Sequence, residues 1–548
     1  MQLVAYGAQD VYLSGNPQIT FFKVVYRRHT NFSVEPIQQT WNGSADFGRT
    51  VTCNINRNGD LITNMYVAVR LNAVVENDNE WGYVNRLGHA LVENVKVEIG
   101  GSKIDEQYGD WLNIWHELTH PTGQKRGYAK MVGDDPALTT VTTAAKNAYQ
   151  MYVPLQFWFN RNNGLALPLI ALQYHDVRIT LKFRDQDKCI NYLATKPVLS
   201  NLMSDSYLLI DYVYLDSEER KRFAQASHEY LIEQLQFTGS ETLNAVSNKY
   251  RLNFNHPSKY LIWVSRLSRY VTATEWVAYA FDGDWSAAKD RFAKIITAAS
   301  RTDVSNTVGS VTVPNPNNTI TYEVGEVVDA VGAALGGTSV ITADLLAKCE
   351  VKFLVESLAA GVAVIGSTPA KLLENAVVYR NDLTMEDISS TLAQLTGANA
   401  AEPSEVLALF KQTVIDYTNY GNMLDGSENP VTTGKLQLNG HDRFQARDGF
   451  YFNYVQPAQH FVNTPADGVN VYSFALKAAD HQPTGTCNFS RIDNATLQVD
   501  VGSPGTASSS DYITKYIGSN SSSVMNIYTQ NYNVLRVMSG MAGTAYSN

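Results

Sequence analysis

Apolar and polar residues alternate one by one in several separate stretches of the chain. Val51, Cys53 and Ile55 alternate with Thr52, Asn54 and Asn56, and the pair Asn58-Gly59 then supplies a turn. Beyond it Met65, Val67, Val69 and Leu71 share one face, with Tyr66, Ala68 and Arg70 on the other. This segment reads as a hairpin or meander. Val95, Val97 and Ile99 alternate with Lys96 and Glu98 before Gly100-Gly101. Val177, Ile179, Leu181 and Phe183 alternate with Arg178, Thr180, Lys182 and Arg184, and Leu497, Val499 and Val501 with Gln498 and Asp500. A period of two gives each strand one buried face, which suits antiparallel sandwiches better than parallel sheets.

Helical periodicity is scarce. Trp111 to His120 is one short candidate, in which Trp111, Ile114, Trp115 and Leu118 form an apolar stripe with His116 and His120 on the other side. Ser217 to Gln234 is a second, opening on the charge run Glu218, Glu219, Arg220, Lys221 and Arg222, which reads as the solvated face of a connector between two domains. A third runs from about Met385 to Tyr420 with a break near Pro403. The stretch from about Ser268 to Gly434 differs from the rest in its Ala-, Val- and Thr/Asn-rich pieces and reads as an elaborated insertion in the second half. No internal sequence repeat is visible, which does not argue against a duplicated fold.

Composition sharpens this picture. A chain of 548 residues exceeds a single core and implies two or more domains. With 44% apolar and 18% charged residues it buries sizeable cores, and its 31 Tyr and 20 Phe favour an all-β fold. The net charge of −10 argues against a nucleic-acid coat, which needs a basic face. Cys53, Cys189, Cys349 and Cys487 form no CxxC pair and read as free thiols of a reducing compartment. Residues 1–17 lack the pattern of a secretion signal, and no apolar run approaches the ~20 residues of a membrane span, so the expectation is a protein that stays in the cytosol where it is made.

Several segments resemble the major capsid proteins of nucleocytoplasmic large DNA viruses. The opening Gly7-Ala8-Gln9-Asp10, then Asn16-Pro17-Gln18-Ile19-Thr20-Phe21-Phe22-Lys23 and Arg27-Arg28-His29-Thr30-Asn31-Phe32, is similar to that family's N-terminal arm. Phe157-Trp158-Phe159-Asn160-Arg161 followed by 164–172, Leu438-Asn439-Gly440-His441-Asp442-Arg443-Phe444, and His481-Gln482-Pro483 with 485–493 look like its signatures, and 539–548 its C-terminus, with Thr544 where Leu is commoner. The resemblance covers both halves in family order and leaves about 268–434 unmatched. It implies an all-β fold of two consecutive eight-stranded antiparallel jelly rolls with a few short helices: an arm at 1–30, a first jelly roll at 31–215, a linker at 216–235 and a second jelly roll at 236–548 carrying the insertion at about 268–434. It also implies a homotrimer of pseudo-hexagonal outline that tiles an icosahedral shell with neighbouring capsomers. The insertion would form an outer protrusion. The arm, with Lys23, Arg27, Arg28 and His29, would face inward toward minor capsid proteins or an internal membrane.

Two other chemistries compete. His116-Glu117-Leu118-Thr119-His120 matches H-E-x-x-H, in which two His one turn apart bind zinc and the Glu acts as base. Gly123 falls where the longer zinc pattern wants it, but the third ligand position is Arg126, which stays protonated, and His120 precedes Pro121, which disfavours a continuing helix. His175 or Asp176 could replace that ligand, though no spacing selects them. The reading favoured by the stripe is a short helix docked on a sheet, its His residues solvated or at a subunit contact. Asp134-Asp135 beside Gly133 could hold a cation but reads as a turn. Trp41, Trp81, Trp263 and Trp276 could stack on sugars, as in jelly-roll lectins, including host surface glycans, although such residues are more often core. The sequons at Asn31, Asn42, Asn317, Asn488, Asn494 and Asn520 are expected not to direct standard N-glycosylation. The expectation is therefore no catalytic, cofactor-binding or metal-binding residue, no cofactor, and no specific nucleic-acid contact.

Overall fold

The computed structural model describes residues 7–17, 28–79, 81–121, 124–139, 143–192, 195–267, 279, 429–502 and 522–546, together with short strands between 310 and 380. The expected helix at 385–420, most of the insertion, and Lys23 and Arg27 lie outside the described residues.

The first lobe contains β1 (Phe32–Thr40), β2 (Thr50–Asn54), β3 (Leu61–Leu71), β4 (Val92–Ile99), β5 (Ser102–Tyr108), β6 (Tyr149–Pro154), β7 (Val177–Phe183) and β8 (Met203–Leu215). One sheet has the order β1-β8-β3-β6 and the facing sheet β2-β7-β4-β5. Alternation works as the sequence suggests: Val51, Cys53, Val67, Val69, Val95, Val97, Ile179 and Leu181 all point into the core between the sheets. Gly100 and Gly101, at φ of 57° and 82°, supply the mirror-image turn that lets Ile99 pair with Ser102 across a two-residue hairpin.

The hairpin expected across Val51 to Leu71 is corrected. β2 pairs with β7, whereas β3 pairs with β8 and β6 in the opposite sheet. Asn58-Gly59 carries the chain from one sheet to the other, with Gly59 against the Tyr212 ring and the Asp60 amide donating to the Val213 carbonyl. Alternation specifies a buried face but not a partner strand.

The second lobe repeats this wiring. Its strands are β9 (His228–Thr242), β10 (Ser247–Arg251), β11 (Pro257–Arg266), β12 (Val431–Leu438), β13 (His441–Asp442), β14 (Val469–Ser473), β15 (Ala495–Val501) and β16 (Val524–Met538). They form sheets of order β9-β16-β11-β14 and β10-β15-β12-β13, each position matching its counterpart in the first lobe. The insertion thus sits between β11 and β12, where the first lobe has the 72–91 connection. β12 begins at Val431, inside the stretch read from sequence as extending to Gly434.

Between the lobes lies the helix Ser217–Gln225. The longer helix expected to Gln234 is corrected: from His228 the chain is strand, so the linker read at 216–235 already contains the start of β9. Glu229, Leu231, Glu233 and Gln234 suit a helix locally, but thirteen cross-strand partners along β16 outweigh a propensity difference of tenths of a kcal/mol per residue.

The lobes interdigitate. The helix Gly109–Thr119, entered directly from β5, lays Trp111, Ile114, Trp115 and Leu118 against Leu235, Tyr260, Ile262, Val264, Val471 and Tyr528 of the second lobe. In return Ile232, Leu535, Val537 and Ala542 of the second lobe complete the core of the first. The strand Met541–Thr544 folds back on β16, and the Gly540 carbonyl accepts from the Tyr174 amide of the first lobe.

The large shared surface makes one expectation quantitative. Trp111→Ala should lower stability by about 3–5 kcal/mol, because the ring is wholly buried between two lobes that cannot both relax into the void. Urea unfolding followed by near-UV circular dichroism measures this, and a loss below about 1 kcal/mol would contradict the packing described.

Candidate functional site: the seam between the lobes

The residues with the most pronounced electrostatics lie along this seam. Phe157 opens a short helical turn, Trp158–Arg161, that is pinned by Asn160: its Oδ1 accepts from the Phe157 amide at 3.1 Å and its Nδ2 donates to the Thr63 carbonyl at 2.6 Å. That turn aims Arg161 across the seam. Its guanidinium lies 4.6 Å from the centre of the Trp115 ring and 2.8 Å from Glu233. Glu233 also receives Lys259 at 2.9 Å and His481 at 3.4 Å, and the Lys259 ammonium donates to the Asp480 carbonyl at 2.8 Å. Burial alone would raise the Glu233 carboxyl; Arg161, His481 and Lys259 overcome it and hold the group at about 2. Two sequence signatures, those of Arg161 and His481, therefore converge on one buried carboxylate, beside a cleft of about 410 Å³ lined by Trp115, Trp158, Arg161, Glu233 and His481.

A second set of contacts joins the edge strands β5 and β9. Gln234 Nε2 donates to the Ile104 carbonyl at 2.5 Å, and the Leu235 amide donates to Asp105 Oδ1 at 3.0 Å. Burial pushes the Asp105 carboxyl up to about 7, even against the amides of Leu235 and Glu106. Deeper in, Arg266 meets Asp110 at 3.3 Å. Side chains thus tie together two edges that carry no backbone ladder between them.

The H-E-x-x-H helix forms part of this seam. His116 is 4% exposed and Glu117 0%, so the expectation of solvated histidines is corrected for His116. The helix is covered on both sides: its apolar stripe meets the second lobe, and its opposite face meets Arg86, His89 and Tyr128. Glu117 is 2.5 Å from Arg86, whose guanidinium also donates to Asn113 at 2.6 Å. The His116 ring stacks on Tyr128 with centroids 3.8 Å apart, and His89 shares a 2.7 Å hydrogen bond with the Tyr128 hydroxyl. Burial, then Arg86, pushes His89 down to about 3, so it is neutral. A carboxylate matched to a buried guanidinium is not available as a base. Among the described residues, no group of three His, Cys, Asp or Glu side chains is placed to hold a metal.

The remaining candidates are engaged elsewhere. His175 faces the Ala542 carbonyl at 3.1 Å and Asp176 pairs with Arg57 at 3.4 Å. Asp135 Oδ1 accepts from the Ala137 amide at 3.0 Å, a turn role, and Asp134 approaches Arg86 at 3.8 Å. Trp41, Trp81 and Trp263 are core residues, which removes them from any sugar-stacking surface; Trp276 lies outside the described residues, as do Gly123 and the side chain of Arg126. Arg28 and His29 are exposed. Cys53, Cys189 and Cys487 are free, and burial pushes the first two up to about 11 and about 12. Sequence reasoning missed Glu233 and Lys259. For Lys259 the signal was a charge inside an otherwise apolar run, Ser258-Lys259-Tyr260-Leu261-Ile262, whereas Glu233 stands in a strand of mixed polarity.

Two sandwiches of identical wiring, sealed to each other, define a double jelly-roll protein. Residues 20–216 match the family described as "Major capsid protein N-terminus", and 219–543 that described as "Large eukaryotic DNA virus major capsid protein". The chain is 42% identical to "Capsid protein 1" of Acanthamoeba polyphaga mimivirus and 43% identical to the major capsid protein of Phaeocystis pouchetii virus; each comparison spans 100% of this chain and 99% of the relative. The "PBCV-1 virus capsid, quasi-atomic model" superposes with a TM-score of 0.59 at 33% identity, covering 96% of this chain and 100% of that one. The chain belongs to the major capsid proteins of large eukaryotic DNA viruses.

The seam makes two expectations. With Glu233 held at about 2 in the fold against an ordinary 4.5, its contribution is present above pH 4.5 and is lost as pH falls from 4.5 toward 2. Glu233→Gln should lower stability at pH 7 by on the order of 3 kcal/mol and flatten that acid limb, read from urea midpoints at stepped pH. Glu117→Ala should lower stability by about 3 kcal/mol by removing the 2.5 Å carboxylate partner of the buried Arg86 and leaving only the more distant Asp134 at 3.8 Å. A Glu117→Ala variant as stable as wild type in the same titration would contradict a structural ion pair.

Proposed function

We propose that this chain assembles as a homotrimer whose six lobes give a pseudo-hexagonal capsomer of an icosahedral virion shell. The observation that carries this is the strand-for-strand repetition of one sandwich within the chain. Two similar lobes per chain and three chains approximate a hexagon while using only threefold symmetry. Residues 31–215 and those from the start of β9 onward are the two lobes, and 1–30 is an arm facing inward toward minor capsid proteins or an internal membrane. The insertion between β11 and β12 is the outward protrusion, where contact with host surface glycans would take place. Synthesis and assembly occur in the host cytoplasm, consistent with free thiols at Cys53, Cys189 and Cys487. Its role is structural, with no catalytic residue, no resident metal and no specific nucleic-acid contact; the Arg86–Glu117 pair supports this reading against a zinc hydrolase.

Native mass spectrometry of the purified full chain tests stoichiometry and metal together. The expected species is about three times 60.7 kDa without zinc. A monomer carrying one zinc per chain would overturn the proposal and make His116, Glu117 and His120 the residues to mutate.

A further inference from the structure

The two lobes present equivalent sheet faces that meet different fates. In the second lobe the outward face of the β9-β16-β11-β14 sheet carries Leu235, Tyr528, Tyr260 and Ile262, and the Trp111–Leu118 stripe of the first lobe covers it. In the first lobe the outward face of the β1-β8-β3-β6 sheet carries an apolar patch, flanked by Asp205, Arg70 and Gln150 on one side and by Asp211 and Asn64 on the other. Tyr207 aligns with Ala68 and Tyr152, and Leu209 with Tyr66 and Pro154. At its edge Phe32 and Val34 are 61% and 49% exposed. On the other outward face of the same lobe the aligned rows are Thr52, Thr180 and Lys96, then Asn54, Arg178 and Glu98.

The covering helix also has a counterpart. Gly109 leads into it directly from β5, at a point where any side chain would collide with the His89 carbonyl. In the second lobe Gly449, pressed in the same way on the Val431 carbonyl, leads into a helical segment at 451–460. Each helix starts with two aromatic residues four apart: Trp111 and Trp115, with ring centres separated by 5.9 Å, and Phe450 and Tyr454, separated by 4.9 Å. The first pair is buried against the neighbouring lobe, whereas Phe450 is 53% exposed and Val462, further along the chain, 64%.

We propose that Phe450 and the helix it opens dock on the Tyr207–Leu209 face of the first lobe of a second copy, repeating between chains the contact that Trp111 and Trp115 make within one. The proposal rests on the trimer reading and specifies its interface. A contact that always runs from the helix of one lobe to the outward sheet of the next is heterologous, and such contacts close into a ring when the rotation allows. Six lobes from three copies, joined alternately within and between chains, cover both of these apolar surfaces and leave the Thr- and Lys-bearing face to solvent.

The test combines native mass spectrometry with photo-crosslinking of the full chain. Phe450→Glu and Leu209→Glu should each shift the population at least tenfold toward monomer with unchanged far-UV circular dichroism, while Arg178→Glu on the polar face remains trimeric. Benzoylphenylalanine at position 450, in a mixture of isotopically light and heavy chains, should crosslink to peptides of 61–71 or 203–215 from another copy. Trimers in which both Glu variants persist as in wild type, or crosslinks from position 450 that land on other segments, overturn this interface while leaving the trimer standing. A monomeric wild-type chain overturns the trimer reading itself.

Discussion

An antiparallel sandwich buries one face of each sheet in its own core; if an outward face is also apolar, something else must cover it. That constraint organises this molecule. The outward face around Tyr260, Ile262 and Tyr528 is as apolar as a core, and the helix bearing Trp111 and Trp115 is the element that covers it. The helix comes from the first lobe, so covering the face joins the lobes. The return insertion of Ile232, Leu535 and Val537 into the first core makes the union reciprocal. Each lobe's packing is completed by the other, and the pair behaves as one hydrophobic structure of two sandwiches.

The charges along the seam follow from that burial. Once Glu233, Lys259 and Arg161 are enclosed between the lobes, each needs a partner, because an isolated buried charge costs several kcal/mol. The arrangement of Arg161, Lys259 and the His481 ring around one carboxylate meets that need and fixes the relative position of four chain segments. Arg86 and Glu117 do the same beneath the helix. A motif that spells metal chemistry by spacing is here part of a structural ion-pair network. The Glu that would act as base neutralises a guanidinium, and the His116 ring stacks on Tyr128.

How much of this was legible in the sequence varies with how local the cause is. The alternation of Val95, Val97 and Ile99 predicted a strand and its buried side, and the Gly100-Gly101 turn followed from conformational preference alone. The stripe of Trp111, Ile114, Trp115 and Leu118 predicted a docked helix. The pairing of β2 with β7 rather than β3 was not legible, since alternation is the same whichever strand lies alongside. Nor was the change from helix to strand at His228, where pairing with β16 overrides local preference. The candidate site was less legible still: Arg161, Glu233, Lys259 and His481 belong to four separate segments that meet only in the folded chain.

The sequence by itself determined the strand periodicity, the two-part organisation and, through ordered signatures, the family. These depend on side-chain alternation, turn chemistry and the identity of contiguous residues, all written along the chain. Tertiary structure alone decided which sheet each strand joined, which lobe covered the Trp111 helix, and that Glu117 meets Arg86 instead of a metal. Those outcomes depend on which surfaces are brought together across long stretches of chain, where burial and charge pairing act between residues that have no relation in sequence.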